Sequence, residues 1–264
     1  MVAPRCAGGP AARVLTGSTK VWAPSLTVDG CALPSPLPGV PLHLALHKPA
    51  GYVCSHAEGE GRTIYELLPT EWQLRNPPLS SVGRLDRHAT GLLLLTQSGA
   101  LSARLASPAS ALRKEYVVAL AAPLSPGLEE AQAFASGDLA LADGAHAAPA
   151  ILVPHRDPAL RHIAKVVITE GRHHQIRRMF AAVGHAVQAI HRVAVGGLRL
   201  PDMGLGEGQW RQLSSQELEK LLDASAGRTS DVILRARPVV AHRGKAARTR
   251  VRMRGVQLQT GDQP

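Results

Sequence analysis

The stretch Ser81–Leu101, SVGRLDRHATGLLLLTQSGAL, decides how the chain is read. Its four consecutive leucines, Leu92 to Leu95, form a run too short for a helix and bounded by turn residues. That is the pattern of a strand covered on both faces. Gln97-Ser98-Gly99 ends the strand, a short helix is expected through Leu105, and Pro108 forbids its continuation. Immediately before the leucines the chain is charged, with Arg84, Asp86 and Arg87 around Leu85. A carboxylate at the lip of a buried strand has two readings. It is a surface turn, with Arg84 and Asp86 an ion pair worth little, or it is a working acid held rigidly by the strand behind it.

Outward from this stretch, residues 42–55, LHLALHKPAGYVCS, alternate leucine with His43, Ala45 and His47, the period of a half-buried strand. Lys48-Pro49-Ala50-Gly51 turns the chain, and Tyr52-Val53-Cys54 resumes extended structure. A short helix is expected over Thr63 to Leu68, closed by Pro69. Towards the C-terminus, KEYVVALAAPL, ILVP, HIAKVVIT, GLRL and QWRQLS read as strands, with helices around Leu128 to Ser136 and over Ser215 to Leu222. Strands dominate and helices are inserted between them irregularly, which is an α+β arrangement without repeated βαβ units.

A second informative stretch is Ile168–His185, ITEGRHHQIRRMFAAVGH. A strand ends at Thr169 and Glu170-Gly171 turns. Ile176, Met179, Phe180 and Val183 then recur at i, i+3, i+4, i+7, one apolar helix face, with Gly184 as the stop. At about 100° per residue, His174 and Arg178 fall opposite that face and Arg177 on its border. Arg177 is therefore the arginine placed to reach an interior carboxylate, which needs such a partner to stay ionised. Arg178 is the one placed to meet a phosphate. The histidines nearby, His173, His174, His185 and His191, lack a metal-binding spacing, and no metal is expected.

Composition sets the limits. No apolar run approaches the roughly 18 residues that cross a bilayer. Three widely spaced cysteines, Cys6, Cys31 and Cys54, form neither a zinc pattern nor a disulfide framework, which fits a reducing compartment. Lys and Arg number 30 against 20 Asp and Glu, a net +10. The excess is concentrated after Ala224, where nine Lys and Arg face two acids, Asp231 and Asp262. A basic tail of this kind suits a polyanion, with nucleic acid the first expectation. Residues 1–40 are rich in Pro, Gly, Ala and Ser without sustained period, and their acid-free basic start resembles an organelle transit peptide. The expected organisation is an N-terminal region over 1–40, a catalytic domain over 41–223 and a basic tail over 224–264.

Five segments in order, HKPAGYVCS (47–55), GRLDRHATGLLLLTQSGAL (83–101), KEYVV (114–118), EGRHHQIRRMFAAVGHAV (170–187) and GQWRQLS (208–214), resemble the RsuA-type ribosomal RNA pseudouridine synthases. The likeness spans roughly 42–222. It implies a long, mostly antiparallel mixed sheet with a cleft across its middle and flanking helices. It also implies an isomerase that breaks a uridine's nitrogen–sugar bond and rejoins the base through carbon-5, without metal, nucleotide or redox cofactor. By motif, the essential aspartate is Asp86, the active-site tyrosine Tyr116 and the basic partner of the aspartate Arg177. Arg84 is expected to help hold the target base out of its stack. Lys48, Arg172, His174 and Arg178 complete the expected RNA contacts. The implied partner is ribosomal RNA or a pre-ribosomal particle, more in keeping with the small subunit, met by a monomer. Bacterial cytoplasm is the expected location, with mitochondrion or plastid as the alternatives. Family members commonly begin with a small RNA-binding domain, and LTVDGCALPSPLPG (26–39) resembles only its end. An inactive rRNA-binding assembly factor that keeps the fold is the alternative function.

Overall fold

A computed structural model of the chain describes residues 27–28, 31–32 and 41–222, apart from 58, 74, 108, 109 and 128. The chain divides into two units, 1–41 and 42–264. In the first, β1 (Thr27–Val28) and β2 (Cys31–Ala32) pair antiparallel. The rest of the N-terminal region, the basic tail and the stop at Pro108 lie outside the described residues.

The second unit carries β3 (His43–Lys48), β4 (Ser80–Val82), β5 (Thr90–Thr96), β6 (Lys114–Leu120), β7 (Ile151–Pro154) and β8 (Ile163–Ile168). It continues with β9 (Val187–Val195), β10 (Leu198–Arg199) and β11 (Trp210–Gln212). Its helices are α1 (Thr70–Gln73), α2 (Gly99–Ala106), α3 (Glu129–Ser136), α4 (Gln175–Ala182) and α5 (Ser215–Leu222), with short 3₁₀ turns such as Ile64–Leu67. The strands form one sheet in the order β11-β3-β5-β9-β6-β8-β7, with β4 added beside β5 and β10 beside β9. Its ladders are antiparallel except β5 with β9, so two antiparallel halves meet at one parallel seam.

The leucine run sits against that seam. Leu93 and Leu95 pack into the core on one face, while Leu92 and Leu94 pack into a second core on the other. All four are no more than 2% exposed. This is the strand buried on both faces that the sequence pattern requires. The seam also needs Gly91. Its φ is +108, and a Cβ there would lie 2.2 Å from the carbonyl oxygen of Arg192 and 2.6 Å from its nitrogen. Only glycine lets β5 and β9 approach at this point.

Within the second unit the sequence reading misses two strands, β4 and β9. β9 is central, yet its residues do not alternate cleanly, because Gln188, His191 and Arg192 break the apolar pattern. Its pairing with β6 also shifts by a residue, from Glu115 opposite Ala194 to Tyr116 opposite Arg192. A bulge of this kind bends the strand and re-aims side chains, and here it sets the direction of Tyr116.

Candidate active site

Asp86 stands on the loop between β4 and β5. Leu85 and Ala89 are buried on either side of it and pin the loop to the core, while Asp86 itself keeps a side-chain exposure of 29%. The Ala89 N–H donates to the Asp86 carbonyl at 3.0 Å and closes the turn, and the Gly51 N–H donates to the Arg87 carbonyl at 2.7 Å. The loop's main anchor is Lys48. Its side chain is 0% exposed, and Nζ donates to the carbonyls of Pro49 (3.0 Å), Asp86 (3.2 Å), Arg87 (3.3 Å) and Ala89 (2.9 Å). Burial pushes the Lys48 ammonium down to about 8, partly offset by the negative charge at Asp86. Lys48 is among the expected RNA contacts; here its charge is buried in the protein, on the backbone that carries Asp86. The sequence held the signal, since Lys48 continues the inward parity of Leu42, Leu44 and Leu46.

The opposing wall is the turn into α4. Glu170 organises it. One carboxylate oxygen accepts from the Ala148 N–H at 2.9 Å and from the Gln175 side chain, and the other accepts from Arg172 Nε at 3.1 Å. Gln175 in turn accepts from the Arg172 N–H at 2.9 Å. This network turns the chain through His174, whose φ of 51 is left-handed, before α4 begins. Ile176, Met179 and Phe180 then bury the apolar face. His174 Nε2 comes to 3.6 Å from one oxygen of Asp86, and Arg177 Nε to 3.7 Å from the other. The Val187 carbonyl accepts from Arg177 Nη1 at 2.8 Å and steadies the guanidinium. Arg178 points elsewhere. It pairs with Asp143, away from Asp86. One residue along a helix turns a side chain by about 100°, and the loop that supplies Asp143 is remote in sequence.

Between these walls lies a cavity of about 420 Å³, lined by Asp86, Arg84, Tyr116, Arg172 and His174. That volume falls within the range of pockets for small ligands. Tyr116 is buried on β6 beside the apolar floor of Ile168 and Ile190. Two cations at the floor escaped the sequence reading. Lys114 shares the face of Tyr116, two residues away, and its ammonium is pushed down to about 8 by burial and by the positive charge of Arg192. Arg192, only 2% exposed, belongs to the unrecognised β9.

The site thus opposes a carboxylate, held between two basic side chains, to a buried phenol across a cavity. Residues 43–182 match the family model described as RNA pseudouridylate synthase. The chain belongs to the RNA pseudouridylate synthase family. It is 41% identical over 176 residues to the ribosomal small subunit pseudouridine synthase A of Pasteurella multocida, covering 67% of this chain and 72% of that one. It is 36% identical over 184 residues to the protein of the same name from Escherichia coli, covering 69% and 74%. A crystal structure of a pseudouridylate synthase superposes with a TM-score of 0.60 at 37% identity, over 69% of this chain and 74% of that one. The α+β sheet with flanking helices is that of the family, and nothing in the site or the relatives favours the docking-only alternative. Among the described residues, no helix is long and apolar enough to cross a membrane.

Proposed function

We propose that this protein converts a specific uridine of small-subunit ribosomal RNA to pseudouridine, with Asp86 as the reacting acid and Tyr116 and Arg177 as its catalytic partners. The observation that carries the reading is the placement of Asp86, with a basic nitrogen near each oxygen, at the wall of a cavity floored by Tyr116. Similarity to two small-subunit synthases supports the choice of RNA. Removing a base from its stack costs a few kcal/mol, and the exposed Arg84 and Arg172 at the cleft mouth offset part of that by meeting the RNA backbone. Arg177 and His174 flank the two oxygens of Asp86, which acts as a nucleophile or base. Tyr116, against the cavity floor, offers a face for the extruded base and a hydroxyl for later proton removal. The enzyme acts as a monomer in the bacterial cytoplasm.

Tritium release from ribosomal RNA labelled at uridine carbon-5 tests this reading. Folded wild-type protein is expected to release label from small-subunit RNA, and Asp86→Asn to release none. Absence of release from any ribosomal RNA, or release by Asp86→Asn at the wild-type rate, overturns it. Release confined to large-subunit RNA overturns the choice of subunit.

A further inference from the structure

Among the described residues, the floor of the cavity holds a cation with no ion-pair partner. Arg192 sits opposite Tyr116 in the β6–β9 ladder and beside Gly91 across the parallel seam. Directly opposed residues share a face, which places its side chain with Tyr116 on the cavity side. Its Cζ lies 6.0 Å from the centre of the Tyr116 ring. Nε donates to the Leu92 carbonyl at 2.7 Å and fixes the guanidinium. Nη2 is buried and has no hydrogen-bond partner. Among the described residues, no carboxylate forms an ion pair with Arg192.

A buried guanidinium without an anion is costly, and two further cations, Lys48 and Lys114, are near enough to feel it. The fold nevertheless holds it rigidly: Gly91 admits the Arg192 backbone where any side chain would collide. Such an arrangement is intelligible if the missing anion arrives with the ligand.

The isomerisation supplies that anion. The bond between C1′ and N1 breaks and its electron pair stays with the pyrimidine, spreading over N1 and the two carbonyl oxygens. C5 then bonds to C1′, the C5 proton leaves and N1 takes one up, so atoms and charge balance. While detached, the base is negative and lies close to the carboxylate of Asp86. Arg177 and His174 are engaged with that carboxylate. Arg192 has N–H groups to spare.

We propose that Arg192 is a further catalytic residue, whose unspent N–H groups hydrogen-bond a carbonyl oxygen of the uracil and hold the negative charge that collects on the base as the glycosidic bond breaks. The inference rests on the function proposed above and adds a preorganised electrostatic group to it.

The test compares wild type and Arg192→Gln in single turnover on RNA carrying either uridine or 5-fluorouridine at the target. Loss of the original nucleoside from a nuclease digest is the readout, because it counts glycosidic cleavage alone. Fluorine stabilises the detached anion, so that substrate depends less on the protein's charge. On uridine, Arg192→Gln is expected to slow cleavage by ~100-fold or more, the range for removing one preorganised donor, with RNA affinity little changed. On 5-fluorouridine the loss is expected to shrink at least several-fold. Equal losses on the two substrates, no loss, or a loss confined to affinity overturns the proposal. Should Arg192→Gln fail to fold, Arg192→Lys keeps the charge but not the fork, and the same substrate dependence is required of its smaller loss. Wild type serves as the control on the underlying function. If wild type converts neither RNA, the enzyme reading fails; if it converts both and the variants match it, only the role of Arg192 fails.

Discussion

Replacing Lys48 by methionine separates the role the structure gives this residue from the one its charge suggests. Methionine keeps most of the stem's bulk and removes the ammonium. Four carbonyls converge on Nζ at 2.9 to 3.3 Å, and three of them belong to Asp86, Arg87 and Ala89. An ammonium carries three protons, so it satisfies three of these acceptors fully and shares itself with the fourth. Hydrogen bonds to a charged group contribute about 1.5–3 kcal/mol each, and a stranded buried acceptor costs about 1–3 kcal/mol. Against this stands the desolvation of the ammonium, visible in its pKa near 8, which methionine relieves. The balance is a destabilisation of about 2–4 kcal/mol, measurable by denaturant unfolding. The larger effect falls on catalysis. Without Nζ, the carbonyls around Asp86 repel one another, and displacement of a reacting group by about 1 Å costs on the order of 100-fold in rate. Single-turnover tritium release at saturating enzyme is therefore expected to fall by about that factor, while RNA affinity by filter binding stays within about twofold, since the buried ammonium meets no phosphate. A variant with the wild-type rate and weakened, less salt-dependent RNA binding would refute the reasoning and restore Lys48 to the RNA surface.

Three further outcomes follow from the same geometry. Gly91→Ala is expected to lower stability by more than about 3 kcal/mol, because a Cβ would collide with the Arg192 backbone and the φ of +108 is strained for any other residue; an unfolding midpoint equal to wild type counts against the close seam. His191 is half-buried, its Nδ1 lies 2.8 Å from Thr90 Oγ1, and desolvation, aided by the neighbouring His47, pushes its pKa down to about 4. The unfolded chain binds a proton there first as pH falls. The stabilisation is thus whole above pH 6.5 and lost towards pH 4, by about 3 kcal/mol, and His191→Asn should flatten that acid limb; an identical pH profile in the variant argues against it. Removing residues 241–264 deletes Arg243, Lys245, Arg248, Arg250, Arg252 and Arg254. The slope of log affinity for RNA against log salt should then become shallower by about 0.7–0.9 for each phosphate no longer neutralised, and an unchanged slope makes the tail a bystander.

What was legible in the sequence divides along a physical line. Local period reveals an element when its side chains do a single job. Leu92 to Leu95 all fill core, and Ile176, Met179 and Phe180 all face one way, so β5 and α4 are readable from the chain alone. The proximity of Arg177 to Asp86 follows from the same helical geometry, because a residue bordering a buried face reaches the interior. β9 mixes jobs. It must carry core residues, accept the close approach of β5 at Gly91, absorb the bulge opposite Tyr116 and turn a guanidinium into the cavity. Each task costs it part of its alternation, and the strand at the centre of the sheet became the least visible one. Lys48 and Arg178 find partners within the protein for a related reason. Charge on a residue predicts solvent or ligand only when no backbone or carboxylate remote in sequence claims it. Lys48 is claimed by carbonyls 38 to 41 residues away, and Arg178 by Asp143. At the cleft, Arg84 and Arg172 are the exposed cations at its mouth, and His174 is shared between the cleft and Asp86. On this account the positive charge is graded by depth. Exposed Arg84 and Arg172 stand at the mouth, Arg177 and His174 flank Asp86 in the middle, and Arg192 and Lys114 lie at the floor.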